Sequence, residues 1–371
     1  MDISALNTLT TQVLWAAFLI SILFGAIAQR THFCTMGAVS DIVNIGDWTR
    51  MRMWALAIGV AMIGFNALGA AGLIDPAKTL YASGRLIWLS ALVGGAMFGF
   101  GMVLASGCGS KTLVRIGGGN LKSVLVFLVM GVTAFATLKG ITAVARVATI
   151  DRVAIDFSGN ASLSNWLAAA SGLTAAWAGL SLALVFGLAL IFWALAGRGF
   201  LRFDNLLAGF GIGALIAAMW WVSGHLGYVA EHPETLQEAF LATNSGKAEA
   251  LSFVSPMAYT LDWIMFFSDR SKLLTIGIVS VFGVVVGSAL YSLITRSFRW
   301  EGFRDAEDTA NHLVGATLMG IGGVSAMGCT VGQGLSGIST LSATSIVAVA
   351  AIVAGGVSAL KYQVWRLERN A

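Results

Sequence analysis

The chain has 371 residues, of which 57% are hydrophobic and 11% charged, with 22 Lys and Arg against 18 Asp and Glu. A soluble domain carries about 25% charged residues, so this balance excludes a soluble globular protein and indicates an all-α polytopic membrane protein. The net charge of +4 is spread over short loops, which excludes a nucleic-acid-binding patch. Three cysteines without a C-x-x-C pair exclude a disulfide framework and a zinc site.

Met1-Asp2-Ile3 lacks the positive start of a signal peptide, so none is expected. A membrane span needs roughly 20 mostly apolar residues. Nine stretches meet that need: 13–29, 52–74, 86–105, 121–142, 173–196, 204–224, 272–295, 310–327 and 343–361. An odd number puts the termini on opposite sides. With the N-terminus outside and the C-terminus cytoplasmic, fourteen of the 22 basic residues fall in inner loops, as the positive-inside rule requires. The expected location is an inner (plasma) membrane of bacterial type.

Three stretches rich in small residues are too short to cross: 33–46, 107–119 and 328–342. Each follows a span directly. Irregular backbone at membrane depth survives only when buried in protein or lining a polar cavity, so these are expected to be re-entrant half-helices. Two of them belong to an internal repeat. Gly94, Gly99, Gly101, Ala105, Gly107 and Cys108 recur 221 positions later as Gly315, Gly320, Gly322, Ala326, Gly328 and Cys329. The span before Cys108 runs inward and the span before Cys329 runs outward, so the copies are inverted. Inverted repeats build the core of many secondary transporters, with the substrate between them. The expected organisation is one integral membrane transport domain over 1–371, in approximate halves 1–172 and 173–371.

Two stretches lie outside this pattern. Residues 143–172, with Arg146, Asp151, Arg152 and Asp156, link the halves. Residues 225–271 carry Glu231, His232, Glu238 and Glu249. Within the latter, Pro256 to Phe267 alternates apolar and polar residues and is expected to lie in the membrane interface as an amphipathic helix. Trp220-Trp221 is expected in an interfacial aromatic belt, and Asp41 is expected to pair with an inner Arg.

A cysteine that begins a half-helix sits among backbone N–H groups with no internal partner. The peptide dipole adds about half a positive charge there, and such ends bind anions. Gly107 and Gly328 let a ligand approach the backbone. Ser110, Thr112, Thr330, Gln333 and Ser336 are candidate neutral donors, and Lys111 adds a formal charge. A buried thiol stays neutral, and its S–H is a weak donor on a polarizable body. Together these groups suit an anion with a soft sulfur end and a hard oxygen end. The candidate substrate-binding and translocation residues are therefore Cys34, Cys108, Cys329, Gly107, Gly328, Lys111, Ser110, Thr330 and Gln333. No catalytic residue, metal ligand or cofactor is expected.

At these residues the chain resembles the YeeE/YedE family of membrane permeases. Arg30-Thr31-His32-Phe33-Cys34-Thr35-Met36-Gly37-Ala38 is similar to its Arg-x-x-Phe-Cys-x-x-Gly segment. Gly99-Phe100-Gly101 through Gly107-Cys108, and Gly320-Ile321-Gly322 through Gly328-Cys329-Thr330-Val331-Gly332, resemble its two Gly-Cys segments. The resemblance implies thiosulfate uptake through inverted repeats, with Cys34, Cys108 and Cys329 passing the ion along by S–H contacts. It also implies a small cytosolic sulfur carrier of the TusA-like type as a possible partner. The chain departs from the pattern at Lys111, where the family has Gly, as Gly332 follows Cys329 here. The alternatives are a membrane redox protein of sulfur metabolism and a transporter of another sulfur or selenium compound. Haem would need facing axial ligands, and His32, His225, His232 and His312 all sit near span ends.

Overall fold

The computed structural model describes residues 3–157, 159–233 and 235–370. Met1 and Asp2, which bear on the signal-peptide expectation, lie outside the described residues. The helices in chain order are α1 (Ile3–Thr31), α2 (Thr35–Ile45), α3 (Thr49–Ala70), α4 (Trp88–Leu104), α5 (Gly109–Gly117), α6 (Leu121–Lys139), α7 (Ile141–Ala148), α8 (Leu163–Ser171) and α9 (Ala175–Leu195). They continue with α10 (Phe203–Leu226, with two π-helical stretches), α11 (Val254–Met265), α12 (Ile276–Ile294), α13 (Ala306–Ser325), α14 (330–339, with a π-helical core Gly332–Gly337) and α15 (Ala343–Asn370). Two short antiparallel strand pairs, β1 (Arg85–Leu86) with β2 (Ile155–Asp156) and β3 (Tyr228–Val229) with β4 (Ala239–Phe240), lie in the loops.

Among the described residues, eight helical stretches are long and apolar enough to cross a membrane. The ninth expected span corresponds to α13, whose first turns carry Glu307, Asp308 and His312. Asp305 caps α13 by accepting from the Asp308 N–H at 2.7 Å, and the buried Lys122 donates to Asp308 at 2.9 Å. The polar start of α13 is thus tied to α6, and its apolar remainder packs between α4 and α6.

The repeat is visible in how α4 and α13 cross. A Cβ on Gly94 would stand 2.6 Å from the Ala326 nitrogen and 2.7 Å from the Gly322 oxygen. A Cβ on Gly315 would stand 2.6 Å from the Ala105 nitrogen and 2.7 Å from the Gly101 oxygen. Each contact is the image of the other under the 221-residue offset, with the roles of the two helices exchanged. The two helices therefore cross antiparallel about a pseudo-two-fold axis, and glycine is what allows their backbones to touch.

Two expectations are corrected. Helix α11, expected flat in the interface, buries Pro256, Met257, Ala258, Thr260, Leu261 and Asp262. Its polar face finds protein partners, since Lys272 donates to Asp262 at 2.6 Å. Trp220, expected in an interfacial belt, is fully buried, packs tilted against Phe65 and donates to the Ser339 hydroxyl at 3.0 Å. The link over 143–172 is held by β2 and by backbone bonds from Leu163 to Leu341 and from Ala343 to Ala161.

Candidate functional site

Each cysteine is set by the same local device. The preceding helix ends, a residue two places before the cysteine adopts a left-handed conformation, and the cysteine becomes the N-cap of a short helix. The left-handed residues are His32 (φ 52°), Ser106 (φ 56°) and Met327 (φ 58°). None is glycine, and each such conformation costs roughly 1–2 kcal/mol. In the two repeated copies the turn closes identically. Gly107 N–H donates to Met102 O and Gly328 N–H to Gly323 O, each at 2.8 Å. Cys34 then caps α2 and Cys108 caps α5, both with extended backbone, and Cys329 stands before α14.

The three caps converge. The Cys34 and Cys108 thiols lie close enough to couple electrostatically. The Thr330 hydroxyl lies near the Cys108 thiol without a hydrogen bond to it, and Cys329 lies within electrostatic reach of Cys108. All three thiols are buried, with Cys108 and Cys329 at 0% exposure. Cys34 Sγ accepts from the Gly37 N–H at 3.4 Å, and Cys329 Sγ accepts from the Gly332 N–H at 3.4 Å. Cys108 Sγ lies 3.4 Å from Ser110 Oγ. Sulfur is a weak acceptor, so these caps hold their N–H groups loosely.

The other expected donors divide. Thr112 donates to the Cys108 carbonyl at 3.1 Å and Ser336 to the Leu251 carbonyl at 2.7 Å, so both are committed to the fold. Gln333 Nε2 donates to the Ala326 carbonyl at 2.6 Å, and its Oε1 is buried without a partner. A carbonyl only accepts, so this contact fixes the amide orientation. Gly107 and Gly328 immediately precede their caps as expected. A Cβ on Gly107 would stand 3.3 Å from Lys111 Cγ.

Among the described residues, the buried donors without a hydrogen-bond partner include three beside the cysteine caps: Thr35 Oγ1, Thr330 Oγ1 and Trp54 Nε1. Leaving such a group unpaired costs about 1–3 kcal/mol. Thr330 was among the expected residues, whereas Thr35 and Trp54 were not. Thr35 was findable, because Cys34-Thr35 and Cys329-Thr330 are the same dipeptide at the same cap. Trp54 carries no sequence signal. Its place comes from α3 packing on the segment before Cys34, where its ring stacks on Phe33 at 4.6 Å. Beyond Thr35, Trp54 and Thr330 lies a 370 Å³ cavity between α3, α9 and α15, also lined by Met51, Trp193 and Ile352. Away from those three residues its wall is apolar.

A family profile described as "Sulphur transport" matches residues 30–358. The chain is 27% identical over 321 residues to the thiosulfate transporter TsuA of Escherichia coli (strain K12), covering 84% of each protein. It is 26% identical over 349 residues to the thiosulfate transporter TsuA of Spirochaeta thermophila, covering 90% of this chain and 94% of that protein. Both relatives carry the names of transporters.

Proposed function

The chain belongs to the sulphur transport (YeeE/YedE) family, and from that premise we propose that it is a permease importing thiosulfate or a closely related sulfur oxyanion. It is a membrane transport protein for a sulfur compound and not an enzyme. In this reading residues 1–371 form a single transport domain in the inner membrane, with the N-terminus outside and the C-terminus cytoplasmic. A TusA-like carrier is a fitting acceptor on the cytoplasmic side.

The observation that carries the proposal is the convergence of three cysteine caps with three unpaired donors. Thiosulfate has three oxygens that want N–H or O–H donors and one terminal sulfur that is poorly served by them. Thr35, Thr330, Trp54 and the half-helix N–H groups suit the oxygens. Neutral thiols at Cys34, Cys108 and Cys329 suit the sulfur, as weak S–H donors with polarizable bodies. A thiolate would repel the ion, and burial keeps a thiol protonated. Passage from one cysteine to the next then exchanges like contacts for like contacts, which keeps the barrier between stations low.

Magnitudes restrict the mechanism. A bare anion in a dry interior costs tens of kcal/mol by a Born estimate, and each helix end returns about 0.3–2 kcal/mol. Three helix ends cannot hold a dianion alone. The unpaired donors add about 1.5–3 kcal/mol each when the acceptor is charged, and a nearby cation supplies more. In this reading Lys111 is that cation, lying within electrostatic reach of Cys34 and Cys108.

The test is uptake of labelled thiosulfate into cells lacking other sulfur importers, with sulfate, sulfite and selenite as competitors. The proposal expects uptake that unlabelled thiosulfate suppresses most strongly. Cys108→Ala and Cys329→Ala, each present in the membrane at normal level, should lose at least nine-tenths of it. Full uptake in both variants would refute the role of the thiols. Equal suppression by sulfate would refute the role of the sulfur end.

A further inference from the structure

Lys111 and Arg115 lie one turn apart on α5, and both lean over the Gly107 backbone. A Cβ built there would meet Lys111 Cγ at 3.3 Å and an Arg115 guanidinium nitrogen at 3.7 Å. Across from them the Arg50 guanidinium lies directly on the Gly37 backbone, in the first turn of α2. Lys111 is within electrostatic reach of Arg115, Arg50, Cys34 and Cys108, and the exposed His32 is within reach of Lys111 and Arg50. Among the described residues, the carboxylate paired with these cations is Asp41, which meets Arg50 at 3.3 Å. Among the described residues, the side chains of Lys111 and Arg115 make no hydrogen bond and no ion pair.

This arrangement is costly unless a ligand completes it. Like charges one turn apart on a helix repel by about 0.2–0.5 kcal/mol even in water, and a shielded amine without a counter-charge costs more. Both side chains are only partly exposed. We propose that Lys111, shared with the cysteine caps, forms with Arg115 and Arg50 an adjoining anion site, beside the Cys34–Cys108 pair, that takes divalent oxyanions by charge and not by sulfur. A guanidinium fork and an ammonium group recognise oxyanion oxygens. The cluster contributes no soft group of its own. Sulfate therefore binds there as well as thiosulfate does, in contrast to the cysteine caps. Its role in transport rests on the reading above: the site receives the ion after Cys34 and releases it, and sulfate on that side competes with release.

The test is isothermal titration of the purified full-length protein in detergent at low ionic strength, with sodium sulfate as the probe. The expected result is saturable sulfate binding by the unaltered protein. Lys111→Gln should weaken it at least tenfold, Lys111→Arg should keep it within about threefold, and Arg198→Gln, at an exposed arginine outside the site, should leave it unchanged. Arg115→Gln should weaken it in the same way and stands in if Lys111→Gln does not accumulate. Absence of saturable sulfate binding, or unaltered binding in the glutamine variants, would overturn the proposal. Failure of the transport reading shows up separately, as sulfate binding intact in a protein that does not take up thiosulfate.

Discussion

Sulfur is an unusual cap for a helix. Ser, Thr, Asp and Asn are the residues that hold the first N–H groups well, and all three cysteines occupy that place instead. Cys34 and Cys329 each accept one N–H at 3.4 Å, a long contact that a ligand oxygen can replace at little cost. The positions are thus stabilised less than an ordinary cap would manage, which is expected of groups kept for binding. A second residue-scale feature lies in the loop before α11. Burial raises the Glu249 carboxyl to about 7, against the smaller opposing effect of the Ser245 hydroxyl, which donates to it at 3.0 Å. The folded protein therefore holds this proton more tightly than the unfolded chain does. Its contribution to stability is complete below about pH 4.5 and is lost as pH rises through about 7. Glu249→Gln should raise the thermal midpoint in detergent at pH 8 by a few degrees and leave it nearly unchanged at pH 4.5. An equal shift at both pH values would contradict this assignment.

At the scale of elements, the decisive structures are the breaks and the crossing between them. Gly322 meets the Gly94 oxygen and the Phe98 nitrogen, each at 2.6 Å from where a Cβ would be. Those are backbone atoms and cannot rotate away. Gly322→Ala should therefore destabilise the protein by about 1–3 kcal/mol or more, read as a lowered thermal midpoint or loss from the membrane, and a fully stable variant would contradict the crossing. The repeat was legible because glycines at matched spacing leave a pattern in the chain, and the three short segments were legible because they are too short to span. The left-handed residues were not, because His32, Ser106 and Met327 are ordinary side chains forced into that conformation by the turns around them. Helix α11 was misread for a related reason. An alternating polar face looks the same whether water or a neighbouring helix covers it, and here Lys272 and the packing on α6 and α12 cover it. Trp220 likewise sits at a span end, but contacts with Phe65 and Tyr81 draw it inward.

For the whole molecule, composition and hydropathy settled the membrane class, and the cysteine positions pointed to the region that the structure brings together. What no single segment encodes is that α2, α5 and α14, separated by most of the chain, start from one small volume. That convergence depends on the antiparallel packing of α4 and α13 and on α3 lying against the segment before Cys34. The central claim is that the thiols there serve the ion's sulfur and not the fold. Serine separates these roles, since its oxygen caps a helix at least as well as sulfur but offers the ion no soft contact. The most direct measurement is labelled thiosulfate uptake into sealed proteoliposomes holding either the unaltered protein or Cys329→Ser, with thermal unfolding measured on both. The account predicts a variant as stable as the unaltered protein whose uptake falls at least tenfold. A stable Cys329→Ser variant with undiminished uptake would contradict it.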